Sequence, residues 1–249
     1  MNIQQCILKN NDCYKSGKSM KVKGIMVHST GANNPYLKRY IQPDDGKLGK
    51  NTNGNHWNQS KPDGRSVCVH AFIGKLQNGE IAVYQTLPFD IRAWHCGGSG
   101  NDGYIGFEIC EDNLQDETYF KQVYQKAIEF CVYLCKEFHL TEKNIICHAE
   151  GYKMGIASNH GDVIHWFSKH NVTMNDFRKE VQNRLEQKKE GKEMLYNYMD
   201  ENMPEWAKPT IQKLIDKGAL KGNEKGELML TDVMLRIFVA NDRMGLYDK

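Results

Sequence analysis

The sequence predicts an α/β fold, with a mixed central β-sheet flanked by helices, followed by a small all-α C-terminal domain. Short apolar runs rich in β-branched residues are interspersed with two long amphipathic helices, which is typical of a sheet covered by helices. The charged stretch EQKKEGKE then separates this part from a short helical tail. We therefore predict a main domain at 1–186, a charged linker at 187–194 and a small helical domain at 195–249.

The predicted strands are short and end at turn-forming residues. The first lies in KVKGIMVHST and stops at Gly31, before a long Asn-, Gly- and Pro-rich loop that extends to Gly64. SVCVHAFIGK and EIAVYQT flank an Asn-Gly pair, which favours a β-hairpin. YIGFEIC is a further buried strand, and NIIC is a short one that brings His148 to the edge of the fold.

Four helices are predicted from the spacing of apolar residues. Apolar side chains recur every three or four positions over 118–138 and again over 173–190. In the tail, PEWAKPTIQKLIDKGAL predicts a helix that ends at Gly218. LTDVMLRIFVANDRMG predicts a second one, with Thr231 as its N-cap.

Composition excludes several functional classes. The net charge of +2 provides no basic surface for nucleic acid, and no apolar run approaches the ~18 residues that membrane insertion needs. The N-terminal segment lacks the apolar core of a signal peptide, so we expect a cytoplasmic location in the producing cell. Because that compartment is reducing and the eight cysteines show no C-x-x-C spacing, we expect all of them to be reduced and structural.

Four places in the chain carry candidate chemistry. His28 ends the first strand, His95 lies in RAWHCGG, and Glu108 is an ionisable residue inside an apolar strand. The fourth is HAEGYKMGIASNHGDVIHWF, residues 148–167, which holds three histidines in a stretch of poor periodicity. Each feature alone has an ordinary structural explanation, such as a solvent-facing glutamate on a strand. Their coincidence indicates one site.

In these segments the chain resembles a known family. The family is that of the zinc N-acetylmuramoyl-L-alanine amidases of the type-2 amidase and peptidoglycan-recognition fold, especially phage endolysins. The chain is similar to it in four segments: GIMVHST, the hairpin segment that ends in RAWHCG, YIGFEI and ICHAEG. The resemblance runs from about residue 21 to residue 167. It implies a peptidoglycan hydrolase that cleaves the amide between N-acetylmuramic acid and the L-alanine of the stem peptide, acting on the wall after release.

The resemblance also implies a zinc site. His28 and His148 match the first two ligands, and Asp162 in HGDVIHWF matches the third when the alignment is anchored on Phe167. His160 or His165 is the alternative third ligand, because the family's Pro-Gly pattern is absent here. A catalytic zinc uses three such ligands and keeps its fourth position for water.

The remaining site residues receive their roles from the same resemblance. Glu108 is expected to orient the attacking water and carry its proton to the leaving amine. His160 occupies the position of a family lysine and is expected to stabilise the oxyanion. His70, Trp94 and His95 are expected to bind substrate along the groove, or in the case of the two histidines to support the ligands.

Two alternative functions of this domain remain at the level of the sequence. One is a peptidoglycan-binding module of the same fold without catalysis. The other, a cysteine peptidase using Cys96 beside His95 or Cys147 beside His148, is disfavoured because adjacent residues on a strand point to opposite faces.

The tail loosely resembles a single S-layer-homology-type repeat. This predicts either cell-wall targeting or a homodimer formed through the C-terminal helices, because so short a segment is near the lower limit for an independent core.

Overall fold

The computed structural model describes residues 1–189 and 195–248. It divides into two compact units, Met1–Leu185 and Glu186–Lys249. Of the predicted linker, residues 187–189 continue a helix, and residues 190–194 lie outside the described part of the chain.

The N-terminal unit is built on a six-stranded mixed sheet, as predicted. The strands are β1 (Gln4–Gln5), β2 (Gly24–Ser29), β3 (Ala71–Lys75), β4 (Ile81–Gln85), β5 (Tyr104–Ile109) and β6 (Ile145–Cys147), in the order β1-β4-β3-β5-β2-β6. Only β3 and β4 pair antiparallel, which confirms the predicted Asn-Gly hairpin. Parallel pairing of β3, β5, β2 and β6 aligns the C-terminal ends of these strands at one edge of the sheet.

Five α-helices belong to this unit: α1 (Asp12–Ser16), α2 (Glu117–Glu137), α3 (His148–Lys153), α4 (Ile164–Phe167) and α5 (Met174–Lys189). The two long helices, α2 and α5, confirm the predictions at 118–138 and 173–190. The three short ones were not predicted, because one or two turns are too few to show a helical period. Local capping stabilises two of them: the Asn11 side chain accepts a hydrogen bond from the Cys13 amide at the start of α1, and the Glu150 side chain accepts one from the Cys147 amide at the start of α3.

Alternating residues on the central strands face two different cores. Ile25 and Val27 of β2 pack with α2 in a large apolar cluster. On the opposite face, Phe72 of β3 packs against aromatic residues from the 31–64 segment, including Tyr40 and Trp57. The predicted long loop therefore covers one face of the sheet, and its apolar side chains supply much of that core.

The C-terminal unit contains α6 (Lys208–Asp216) and α7 (Asp232–Arg243) around a small core with Ile211, Leu214 and Leu235. The Thr231 hydroxyl accepts a hydrogen bond from the Met234 amide, which confirms the predicted N-cap. None of the helices in the described residues has the length and apolar character needed to cross a membrane.

One prediction about the cysteines is wrong. Cys13 and Cys68 form a disulfide across 55 residues of sequence, although all eight cysteines were expected to be reduced. Both lie in a buried cluster with Leu87 and Ala93, where α1 packs beside the segment that carries Cys68. The fold brings the two sulfur atoms together, and the spacing of the cysteines in the sequence does not predict this pair. The other six cysteines are free.

Candidate metal centre and active site

The sheet places His28 and Glu108 side by side. β2 and β5 are parallel, and His28 is the register partner of Glu108. Side chains alternate along a strand, so with Ile25 and Val27 in the α2 core, His28 faces the opposite side. Glu108 likewise alternates with Phe107 and Ile109, both of which lie in that core. One side of the site is therefore fixed by backbone pairing.

His148 reaches the same place from the neighbouring strand. β6 pairs with β2, and the last pair in register is Val27 with Cys147. The residues that follow these two in the sequence, His28 and His148, are therefore also neighbours. Their Nδ1 atoms lie 3.1 Å apart. His148 is the first residue of α3 rather than the last of the strand.

Glu150, for which the sequence offered no role, stabilises the start of α3. Its carboxylate accepts a hydrogen bond from the Cys147 amide at 3.1 Å. It also accepts two hydrogen bonds from the Arg178 guanidinium of α5, both at 2.9 Å. This bidentate pair fixes the helix that carries His148 against the long helix behind it.

Asp162 completes a three-residue cluster with the two histidines. Its Oδ2 lies 2.9 Å from His28 Nδ1, and its Oδ1 lies 3.5 Å from His148 Nδ1. The donor atoms of these three residues all lie within 4.8 Å of one another, close enough to hold a single metal ion.

The alternative third ligands lie elsewhere. His160 Nδ1 is 3.0 Å from the Ser158 hydroxyl, and His165 Nε2 is 3.0 Å from Glu111 Oε1. The structure thus groups Asp162 with the two strand-end histidines, and neither His160 nor His165 belongs to that cluster.

The electrostatics of the cluster suit a cation. Burial lowers the pKa of His28, and the Asp162 carboxylate only partly opposes this, so the imidazole tends to be neutral as metal ligation requires. Burial alone would raise the pKa of the Asp162 carboxyl, but the neighbouring His148 and His28 side chains bring it below its usual range. The cluster therefore combines two imidazoles with one anionic carboxylate.

Glu108 lies beside this cluster with an unusual environment. Its Oε2 atom is buried and has no hydrogen-bond partner in the described residues. Burial raises the pKa of the carboxyl well above its ordinary value, and the nearby Asp162 and Glu111 carboxylates add to the effect. A buried carboxyl group whose pKa is raised, beside a cluster of possible metal ligands, is suited to general acid–base chemistry.

His95 orients His28 rather than standing free in the groove. Its Nε2 donates to the Tyr104 carbonyl at 3.1 Å, and its Nδ1 lies 2.8 Å from His28 Nε2. Burial lowers the pKa of His95 well below its usual value, so the ring is neutral and its Nδ1 accepts from His28. His28 then directs Nδ1 towards Asp162 and His148.

His70 and Trp94 differ sharply in position. His70 is wholly buried; its Nε2 donates to the Ile91 carbonyl and its Nδ1 accepts from the Gly106 amide. Both ring nitrogens of His70 are used within the fold and no surface is exposed, so its position fits the predicted supporting role better than contact with a substrate. Trp94 is 48% exposed and lines the groove above the cluster.

The groove itself is open and has a volume of about 770 Å³. The residues that line it include His28, His148 and Asp162 together with Glu108 and His95, and also Trp57, Arg65 and Trp94.

A family comparison fits this geometry. Residues 18–170 match the family described as N-acetylmuramoyl-L-alanine amidase. The chain belongs to this family. The match covers more than half of the sequence and includes every residue of the cluster, so the predicted enzyme class is confirmed.

Solved structures share the fold of this amidase. The Staphylococcus aureus hydrolase AmiA, solved in complex with its ligand, has a TM-score of 0.55 at 17% identity, covering 76% of this chain and 86% of that one. PlyL has a TM-score of 0.52 at 19% identity, and the match covers 73% of this chain and 98% of PlyL. The PlyG catalytic domain also has a TM-score of 0.52 at 19% identity, and the match covers 74% of this chain and 96% of that domain. At these identities the similarity establishes the fold. No curated protein matches the sequence.

Two cysteines of the amidase can be set aside as nucleophiles. Cys96 and Cys147 are completely buried, and burial raises the pKa of both thiols. A nucleophilic cysteine needs an exposed thiol with a lowered pKa. The structure therefore gives no support to the cysteine-peptidase alternative.

Sequence reasoning missed two polar residues of the site. Ser158 lies between His148 and His160, and buried Glu111 joins Ser29 at 2.5 Å and His165 at 3.0 Å. Ser158 lies within the 148–167 stretch, but its place between the two rings depends on the conformation of an irregular loop. The contacts of Glu111 join segments that are far apart in the sequence.

Proposed function

We propose that this amidase hydrolyses the bond between the lactyl group of N-acetylmuramic acid and the first L-alanine of the stem peptide, with zinc held by His28, His148 and Asp162. The observation that carries the proposal is a two-imidazole, one-carboxylate cluster within 4.8 Å, beside the unpartnered buried oxygen of Glu108. This donor set is one that catalytic zinc uses, with one coordination position left open.

Each protein group has a defined task in this proposal. When bound, zinc supplies Lewis acidity, which activates water near neutral pH and polarises the scissile carbonyl. Glu108 accepts the proton of the attacking water at its free Oε2 and delivers it to the departing amine. The raised pKa of Glu108 fits a group that must hold a proton between these two steps.

His160 stands on the other side of the cluster from the strands. Its ring centroid is 4.7 Å from that of His148, and the side chain is exposed towards the groove. From there it donates a hydrogen bond to the oxygen that becomes negatively charged as the carbonyl is attacked. Trp94 and Arg65 bind the flanking sugar and peptide portions through ring contact and charge.

We infer an endolysin-type role, with bacterial peptidoglycan as the partner and the wall as the place of action. The match to the amidase family over residues 18–170 and the fold shared with PlyL and the PlyG catalytic domain support this inference. The role of the C-terminal unit stays a prediction. Wall targeting and homodimerisation both need exposed contact residues, and α7 offers Val233 and Ile237, which are 60% and 52% exposed.

The deciding experiment is digestion of purified peptidoglycan by the full chain with zinc, scored for new L-alanine amino termini and for reducing sugars. We expect amino termini from the wild type and none from Glu108→Ala, with no reducing sugars from either. Release of reducing sugars would make the protein a glycosidase. Tight wall binding with zinc bound but no new termini would favour the non-catalytic alternative.

A further inference from the structure

Ser158 occupies a central position that no role assigned so far explains. Its hydroxyl oxygen lies 3.3 Å from His148 Nε2 and 3.0 Å from His160 Nδ1. The same oxygen is 3.2 Å from the carbonyl oxygen of Cys96. One hydroxyl therefore bridges a proposed metal ligand and the proposed oxyanion-stabilising residue.

The backbone fixes Ser158 in this position. Its amide donates to the Cys96 carbonyl at 2.8 Å, and the amide of Gly100 donates to the Ile156 carbonyl at 2.9 Å, so the two segments run against each other. Gly97 has a φ of +66°, and a Cβ there would lie 2.8 Å from the Ser158 hydroxyl oxygen. Only a glycine at 97 leaves room for this approach.

The hydrogens of the network can be counted. His148 turns Nδ1 towards His28 and Asp162, so as a neutral ligand it carries its hydrogen on Nε2 and donates to Ser158. Ser158 has one hydrogen left to give. Two acceptors lie within reach of the hydroxyl, the Cys96 carbonyl oxygen at 3.2 Å and His160 Nδ1 at 3.0 Å, and His160 Nδ1 is the nearer one.

We infer that Ser158 is a positioning residue that passes a directed hydrogen-bond chain from His148 to His160. In this chain His148 Nε2 donates to the Ser158 oxygen, and the Ser158 hydroxyl donates to His160 Nδ1. His160 must then carry its own hydrogen on Nε2. It can donate to a developing oxyanion as a neutral ring, and successive hydrogen bonds in one direction strengthen one another.

The chain also restrains a side chain that would otherwise be mobile. His160 is exposed, and Ser158 is its one hydrogen-bond partner in the described part of the protein. Without the hydroxyl, the ring can rotate and exchange tautomers, and His148 loses the acceptor that fixes its own ring. The inference rests on the proposed function for the purpose of the chain, but its hydrogen-bond geometry can be tested without substrate.

The test uses the full chain loaded with zinc, and compares wild type with Ser158→Ala and the matched control Ser168→Ala. Ser168 is exposed and does not line the groove. We expect Ser158→Ala to weaken zinc affinity by roughly 10-fold, the size typical for loss of a residue that supports a ligand. In ¹⁵N spectra of the histidine rings, His160 of the wild type should be protonated at Nε2, and Ser158→Ala should give a mixture of tautomers.

Thermal unfolding of all three proteins shows whether the variant remains folded. Equal zinc affinity and unchanged His160 signals in a folded Ser158→Ala variant would overturn the inference, as would a wild-type His160 protonated only at Nδ1. A wild type that binds zinc and shows the expected signals, yet releases no L-alanine termini, would refute the proposed reaction and leave the role of Ser158 standing. A wild type that takes up no zinc would refute both.

Discussion

The two sides of the site are held by different kinds of interaction. The strand side, His28 and Glu108, lies on β2 and β5, which pair in parallel along their full length. The loop side, His160 and Asp162, lies between α3 and α4, where the backbone makes few sheet or helix hydrogen bonds. His28 is 1% exposed, whereas His160 is exposed to solvent. Backbone pairing therefore fixes the strand side, and side-chain contacts fix the loop side.

Substitutions on the two sides of the site are therefore expected to have different consequences. A substitution on the strand side changes one functional group and leaves the sheet in place, because the ladder does not depend on that side chain. On the loop side the functional groups depend on neighbours such as Ser158 and Glu111 for their position. Four substitutions, two on each side, and one on the groove wall test this contrast.

The largest effect is expected for His28→Ala, which removes a ligand from the strand side. Zinc uptake and activity should be lost together, and a chelator should do the same to the wild type until zinc is restored. Metal analysis of the purified protein and the amino-terminus assay measure this. His139→Asn is a suitable control, since that residue is exposed and has a φ of 54°, which asparagine tolerates. Full zinc content in a folded His28→Ala protein would contradict the site.

Asp162→Asn tests the ligand on the loop side. We expect zinc affinity to fall at least ~100-fold, more than supporting residues usually contribute, because the anionic oxygen is replaced by a neutral one. Competition with a zinc chelator of known affinity gives the value. If Asp162→Asn binds zinc normally while His160→Ala or His165→Ala empties the site, the third ligand has been assigned wrongly.

Glu108→Gln tests the strand side without touching a ligand. Zinc content should stay at the wild-type level, whereas turnover should fall by ~10²–10⁴-fold, because the amide cannot take up and return a proton. The measurement is kcat on soluble wall fragments together with metal content. A variant with normal turnover would show that another group carries the proton.

His160→Ala is the counterpart on the loop side. Loss of one oxyanion donor should lower kcat by ~10²–10³-fold with little change in zinc content. Because Ser158 is inferred to act partly through His160, adding Ser158→Ala should lower kcat by less than it does in the wild type. If the fold-decrease in kcat of the double variant equals the product of the fold-decreases of the two single variants, the residues act independently.

The smallest effect is expected at the groove wall. Trp94→Ala removes an exposed ring of the groove wall and leaves the three cluster residues unchanged, so KM should rise several-fold while kcat and zinc content stay constant. The guanidinium carbon of Arg92 lies 5.3 Å from the centroid of this ring, and Arg92 Nε donates a hydrogen bond to Asp102 Oδ1. Because that hydrogen bond does not depend on Trp94, we expect Arg92 to keep its position in the variant. A fall in kcat without a change in KM would place Trp94 in the reaction itself.

How much of the site the sequence could predict follows from how each residue is placed. The roles of His28 and Glu108 were implied by the family resemblance of their strand segments, and strand alternation then explains why both side chains lie on the same face of the sheet. Asp162 required an alignment anchored on Phe167, because its loop has no period. His70 could not be distinguished from a groove residue, since burial depends on the Ile91 and Gly106 backbone groups that surround it.

The sequence by itself determined the sheet, the long helices, the helical tail and the residue types of a metal site, because periodicity and turn chemistry are local properties of the chain. Tertiary structure alone decided that Cys13 meets Cys68, that Asp162 rather than His160 joins the two histidines, and that Ser158 lies between His148 and His160. The physical reason differs between these contacts. Cys13 and Cys68, like Asp162 and His28, are far apart in the sequence and meet only in the folded chain. Ser158 is close to both histidines in the sequence, but its segment has no helical or strand periodicity, so no local pattern predicts where its side chain lies.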